Sequence, residues 1–185
     1  YDKDPALALS LAHNLALVMA YELKVSGVDH SLAPLLDLHG SETVIAGMER
    51  AISADIATLI AVASVWIDGM NSLGMVATGK HFPGHGRLEL ENPDESDSHT
   101  AKLIDKQDRT SLNQLMLPFK ALHERLAAVM LSHVVYKAVD EANVVCHSEA
   151  WRDIIEEQCP GALRMSDCLS MKGVDFGNES QESML

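Results

Sequence analysis

Hydrophobic positions along the chain follow two alternating patterns. Four short apolar runs end in polar or charged residues: Leu32–Leu38, Met75–Lys80, Ala128–Val135 and Ala162–Ser166. Short apolar runs bounded by polar residues predict buried strands. Between them lie segments with helical spacing. Ala6–Ala20 reads as an alanine-rich amphipathic helix, opened by Asp4 and Pro5 at its N-cap and first turn. In Asp55–Leu73, residues Ile56, Leu59, Ile60, Ala63, Ile67 and Met70 recur close to the helical period, and Gly74 fits the helix C-terminus. Asp108–Leu126 and Ser148–Gln158 predict two more helices, the last with Ser148 as cap and Glu149 in the first turn. Strand alternating with helix predicts parallel α/β units. The strand-like runs end at Asp37, at Lys80 with His81, at His133 and at Asp167. In a parallel barrel all such ends meet on one face.

Composition narrows this picture. The chain has 185 residues, enough for one domain with a real core. Hydrophobic residues make up 47%, which excludes a disordered chain, and aromatics only 4%, so an aliphatic and methionine core is expected. A net charge of -13 argues against nucleic acid and anionic membrane as partners, since both need a basic footprint. The three cysteines, Cys146, Cys159 and Cys168, form no C-x-x-C pair. That argues against a disulfide framework or a zinc knuckle and for a reducing, cytoplasmic compartment. Ser10, His13 and Asn14 break the apolar stretch Ala6–Ala20, which reads as too short and too polar to span a bilayer. The acidic insert Gly86–His99 is expected to be a mobile loop, and the tail from Asn178 to Leu185 to fray.

The chemistry concentrates in Gly79-Lys80-His81-Phe82-Pro83-Gly84-His85-Gly86, followed by Asp97-Ser98-His99. Gly74-x4-Gly79-Lys80-His81 falls short of a phosphate-binding loop, because His81 stands where a magnesium-binding hydroxyl is required. His81, His85, His99, His133 and Asp167 together have the donors of a zinc site. No H-x-H or H-E-x-x-H spacing supports it, and Lys80 would set a positive charge beside the ion, so a metal hydrolase stays as the less favoured reading and no metal ligand is assigned. In Asp97-Ser98-His99 the carboxylate has the spacing to hold one histidine tautomer and raise the ring's basicity, which suits proton transfer near neutral pH. The plainer reading is a surface loop whose polar side chains bond the backbone. Asp167 in Met165-Ser166-Asp167-Cys168-Leu169-Ser170-Met171 reads as a covalent nucleophile or as a helix cap.

These three motifs, in this order, resemble family 3 glycoside hydrolases, in particular their single-domain β-N-acetylglucosaminidase branch from bacterial cell-wall recycling. Leu32-Ala33-Pro34-Leu35-Leu36-Asp37 and Met130-Leu131-Ser132-His133-Val134-Val135-Tyr136 agree with it, and the resemblance runs from about Ala6 to Gly173. It implies a TIM-type (β/α)8 barrel, in one catalytic domain over residues 1–185, that removes terminal N-acetylglucosamine from cell-wall muropeptides or related amino sugars with retention. Asp167 matches the nucleophile, His99 the general acid/base and Asp97 its partner. Lys80, His81 and Arg50 match residues that bind the sugar. No cofactor is implied, and the partners are N-acetylglucosamine-containing glycans. Cys168 stands where the family pattern has a second Asp, and the insert before Asp97 is longer than usual. A barrel of this type needs about 250 residues. With only four strand-helix units counted, the barrel is expected to be incomplete here, with further units on both sides. The alternatives are a truncated or non-catalytic sugar-binding barrel, or a phosphorylase variant.

Overall fold

The computed structural model describes residues 3–39, 50–85, 88–90, 103–171 and 174. Helix α1 runs from Pro5 to Val25, and its N-cap Asp4 accepts a hydrogen bond from the Leu7 N–H at 3.0 Å. Helix α2, Ile56–Ser72, starts the same way: the Asp55 carboxylate accepts from Thr58 N–H at 2.8 Å. It ends at Gly74, whose φ of 69° lets Gly74 N–H bond the Asn71 carbonyl and Met75 N–H the Met70 carbonyl. A left-handed residue with this pair of bonds satisfies the last carbonyls of the helix and turns the chain into the next strand. Helix α3, Arg109–Leu122, is capped by Asp108 on Ser111 N–H at 2.8 Å. In helix α4, Glu149–Gln158, the expected cap is not made: the Ser148 hydroxyl bonds Asp140 at 2.7 Å instead.

The strands are β1 (His30–Ser31), β2 (Val76–Phe82), β3 (Glu89–Leu90), β4 (Leu103–Asp105), β5 (Ala128–Leu131), β6 (Val134–Tyr136) and β7 (Leu163–Ser166). The main sheet is parallel throughout, in the order β1-β2-β5-β7, with His30 opposite Val76, Thr78 opposite Ala128, and Ala128 opposite Leu163. A second sheet, β3-β4-β6, stands apart from it.

Three expectations are corrected here. Leu32–Leu38 is not a regular strand. Pro34 lacks a backbone donor, so the segment follows β2 through separate bonds, Thr78 N–H to Ala33 O, Lys80 N–H to Pro34 O and Leu36 N–H to Lys80 O. The run Ala128–Val135 splits at Ser132 and His133 into β5 and β6, which belong to different sheets. Helix α1 continues to Val25, and by length and composition it is long and apolar enough to cross a membrane. It lies instead on α2. Ala16 and Ala20 are buried there, and a Cβ on Gly69 would come within 2.9 Å of both Ala16 Cβ and His13 O. The insert Gly86–His99, apart from Leu88 and β3, and the tail 178–185 lie outside the described residues.

The core is aliphatic over much of its extent, with Leu36, Leu59, Ile67, Met70, Met75 and Leu112 fully buried. Its centre is nevertheless aromatic. Phe82 meets Phe119 and Trp151 edge to face, and Tyr136 packs against Trp151 in the same way. Edge-to-face ring pairs add roughly 0.5–1.5 kcal/mol each beyond their burial. This cluster anchors the C-terminal end of β2, where Phe82 sits directly beside His81.

Candidate active site

The site is built at the C-terminal ends of β2, β5 and β7. Parallel pairing brings them level: Ser132 N–H bonds the Phe82 carbonyl at 3.0 Å, and Asp167 N–H bonds the Leu131 carbonyl at 3.2 Å. Beyond β2 the chain folds into a tight turn. Gly84 N–H returns to the His81 carbonyl at 2.7 Å, and the buried Tyr136 hydroxyl donates to the Gly84 carbonyl at 2.9 Å. Gly84 has φ 122°, and a Cβ there would lie 3.1 Å from Leu115 O, so the turn requires glycine.

This turn wraps around one buried carboxylate. Asp37 Oδ1 accepts from His81 N–H at 3.1 Å and from His85 N–H at 2.8 Å, and Oδ2 accepts from the His81 ring Nδ1 at 2.7 Å. The His81 and His85 rings stack, with centroids 4.4 Å apart and planes 6° off parallel. Burial alone would raise the Asp37 pKa, but the His85 and His81 charges and hydrogen bonds outweigh it and hold the carboxyl below the usual carboxylate range. Burial pushes His85 down to about 4, against the pull of Asp37, so that its ring is neutral at pH 7. Because a carboxylate only accepts, the His81 proton facing Asp37 is on Nδ1.

The far nitrogen of His81, Nε2, lies 3.5 Å from Asp167 Oδ2. Asp167 is partly open to solvent and caps no helix among the described residues; its Oδ1 accepts from the adjacent Cys168 N–H at 2.7 Å. Half-buried Lys80 has its pKa lowered by desolvation and by the Arg50 charge, with Asp167 and Asp37 pulling the other way. Lys80, His81, Arg50 and Asp167 therefore share one electrostatic neighbourhood. His99 and Asp97 lie outside the described residues.

Sequence reasoning gave Asp37 no role, although a lone acid inside Leu35-Leu36-Asp37-Leu38 signals a buried charge. It also gave none to Cys146, whose Sγ sits 3.2 Å from His133 Nδ1 with a thiol pKa that burial raises to about 11. Ligand-type atoms of Asp37, His81 and His85 lie within 4.8 Å of one another, close enough to hold a cation. Each Asp37 oxygen, however, is already taken by hydrogen bonds.

Comparison with known proteins gives a consistent result. The family described as Glycosyl hydrolase family 3 N terminal domain matches residues 4–184. The Beta-hexosaminidase of Psychromonas ingrahamii is 40% identical over 94% of this chain and 50% of its own length. The native NagZ of Neisseria gonorrhoeae superposes with a TM-score of 0.81 at 32% identity, over 94% of this chain and 50% of that one. The same NagZ in complex with N-trifluoroacetyl-D-glucosamine gives 0.80 at 32% identity, over 91% and 49%. The chain thus spans about half the length of the relatives it matches. Its parallel sheet and helices are part of a TIM-type (β/α)8 barrel, and the described strands do not close one.

Proposed function

Because this chain belongs to the Glycosyl hydrolase family 3 N terminal domain family, we propose that the protein is a retaining exo-β-N-acetylglucosaminidase, with Asp167 as its nucleophile. The observation that carries this reading is the setting of Asp167. It is a solvent-reachable carboxylate at the end of β7, 3.5 Å from His81 Nε2 and within the field of Lys80. A nucleophile needs an approach path and neighbours that orient it, and this carboxylate has both.

In the first step an Asp167 oxygen attacks the anomeric carbon as the bond to the leaving oxygen breaks, and His99 gives that oxygen its proton. In the second step His99 takes a proton from water, and the resulting hydroxide displaces Asp167 from the opposite face, the one the leaving group vacated. Two inversions give retention. Asp97 orients His99, and Lys80, His81 and Arg50 hold the sugar. The substrates are N-acetylglucosamine-containing glycans of the cell wall or related amino sugars, handled in the cytoplasm. The relative co-crystallised with N-trifluoroacetyl-D-glucosamine supports an amino-sugar subsite.

The test is hydrolysis of a chromogenic β-N-acetylglucosaminide followed by NMR, with and without phosphate. The expected first product is the β-anomer of free N-acetylglucosamine, lost in Asp167→Ala and partly rescued by azide with inverted product. Sugar 1-phosphate formed in phosphate buffer would assign a phosphorylase instead. An α-anomeric first product would exclude retention.

A further inference from the structure

Asp37 is more than a brace for the turn. Its two oxygens do separate work. Oδ1 takes both turn amides, from His81 and His85, and Oδ2 takes the ring Nδ1 of His81. Burying a carboxylate is costly unless it is fully bonded. A neutral acceptor would serve the two amides at lower cost, so the turn alone does not account for the charge. The charge acts on the ring, since only an acceptor at Oδ2 keeps the His81 proton on Nδ1. With Nδ1 held at 2.7 Å and the ring stacked on His85, Nε2 has one direction left, toward Asp167 Oδ2 at 3.5 Å.

We infer that Asp37 is a positioning residue for the reaction: through Nδ1 it fixes the tautomer and angle of His81, so that Nε2 faces Asp167 and the sugar. The inference rests on the function proposed above, in which His81 meets the substrate.

Asp37→Asn separates the two jobs. The amide oxygen still accepts from both turn amides, while the NH2 now faces Nδ1 as a donor. The ring then shifts its proton to Nε2 and aims an N–H at Asp167. Misplacement of this kind costs on the order of 10²-fold in rate. The experiment is a double-mutant cycle in the protein as its gene encodes it, with kcat/KM measured for wild type, Asp37→Asn, His81→Ala and the double variant. The expected result is a loss of about 10²-fold for Asp37→Asn in the wild-type background, and less than about threefold once His81 is Ala. Equal losses in both backgrounds would reduce Asp37 to a structural brace and overturn the inference.

Nitrogen-15 NMR of the histidine rings reads the same point without activity, with His81 assigned by its loss in His81→Ala. A proton on Nδ1 in wild type, lost from Nδ1 in Asp37→Asn, is expected. A neutral Nε2–H tautomer in wild type overturns the inference even if Asp37→Asn fails to fold. Absence of hydrolysis by the wild-type protein would defeat the functional reading, and the NMR result would then stand on its own.

Discussion

Acid should weaken this fold well before its carboxylates protonate, and His85 is the reason. The ring is buried, and burial pushes its pKa down from 6.5 to about 4. In the unfolded chain the same ring takes up a proton near pH 6.5. Between pH 6.5 and 4 the unfolded state therefore binds more protons, and stability falls as pH falls. The contribution is fully present above pH 6.5 and gone below about 4. The displacement corresponds to about 3 kcal/mol in all, of which about 2 kcal/mol is lost by pH 5. Asp37 acts with the same sign but lower down. Its folded pKa is depressed, so its contribution is present above the ordinary carboxylate value of 3.8 and is lost only as pH drops further. The assay is urea unfolding followed by tryptophan fluorescence at pH 7.5 and pH 5, in wild type and in His85→Gln. Wild type should lose about 2 kcal/mol more than the variant between the two pH values. Parallel losses in the two proteins would refute a buried, neutral His85.

Three further outcomes follow from the packing and the proposed chemistry. Gly84→Ala should cost roughly 1–3 kcal/mol, because φ 122° is strained for alanine and its Cβ meets Leu115 O at 3.1 Å; an unchanged melting temperature would show that the turn relaxes freely. Trp151→Ala, which removes a fully buried ring from Phe82 and Tyr136, should cost about 3–5 kcal/mol in chemical denaturation. His99→Ala should slow substrates with poor leaving groups by about 10²–10⁴-fold and activated aryl glycosides far less. Equal losses on both substrates would remove His99 from bond cleavage.

The sequence displays the helices and the strand-end residues more clearly than the joins between them. Asp4, Asp55 and Asp108 announce their helices because a cap is a local interaction, closed within three residues. Ser148 does not cap because Asp140, eight residues upstream, takes its hydroxyl, a competition that no short window contains. Leu32–Leu38 reads as a strand because its side chains are apolar, while its backbone follows Pro34. At the site, Lys80, His81 and Asp167 stand out as polar residues at the ends of apolar runs, a pattern readable along the chain. Asp37 and His85 gain their meaning only from the fold, which places them 44 and 48 residues apart in sequence against one turn, Asp37 to His81 and Asp37 to His85. The aromatic centre was hidden for the opposite reason: a 4% aromatic content says nothing of where those few rings gather.

The most direct test of the central claim is to catch the covalent intermediate. The protein is mixed with an activated β-N-acetylglucosaminide, quenched in acid within one turnover, digested and analysed by mass spectrometry. One N-acetylglucosaminyl group on the peptide carrying Asp167, absent from Asp167→Ala, is the predicted result. Turnover by Asp167→Ala at the wild-type rate, or the sugar attached to a different residue, would contradict it.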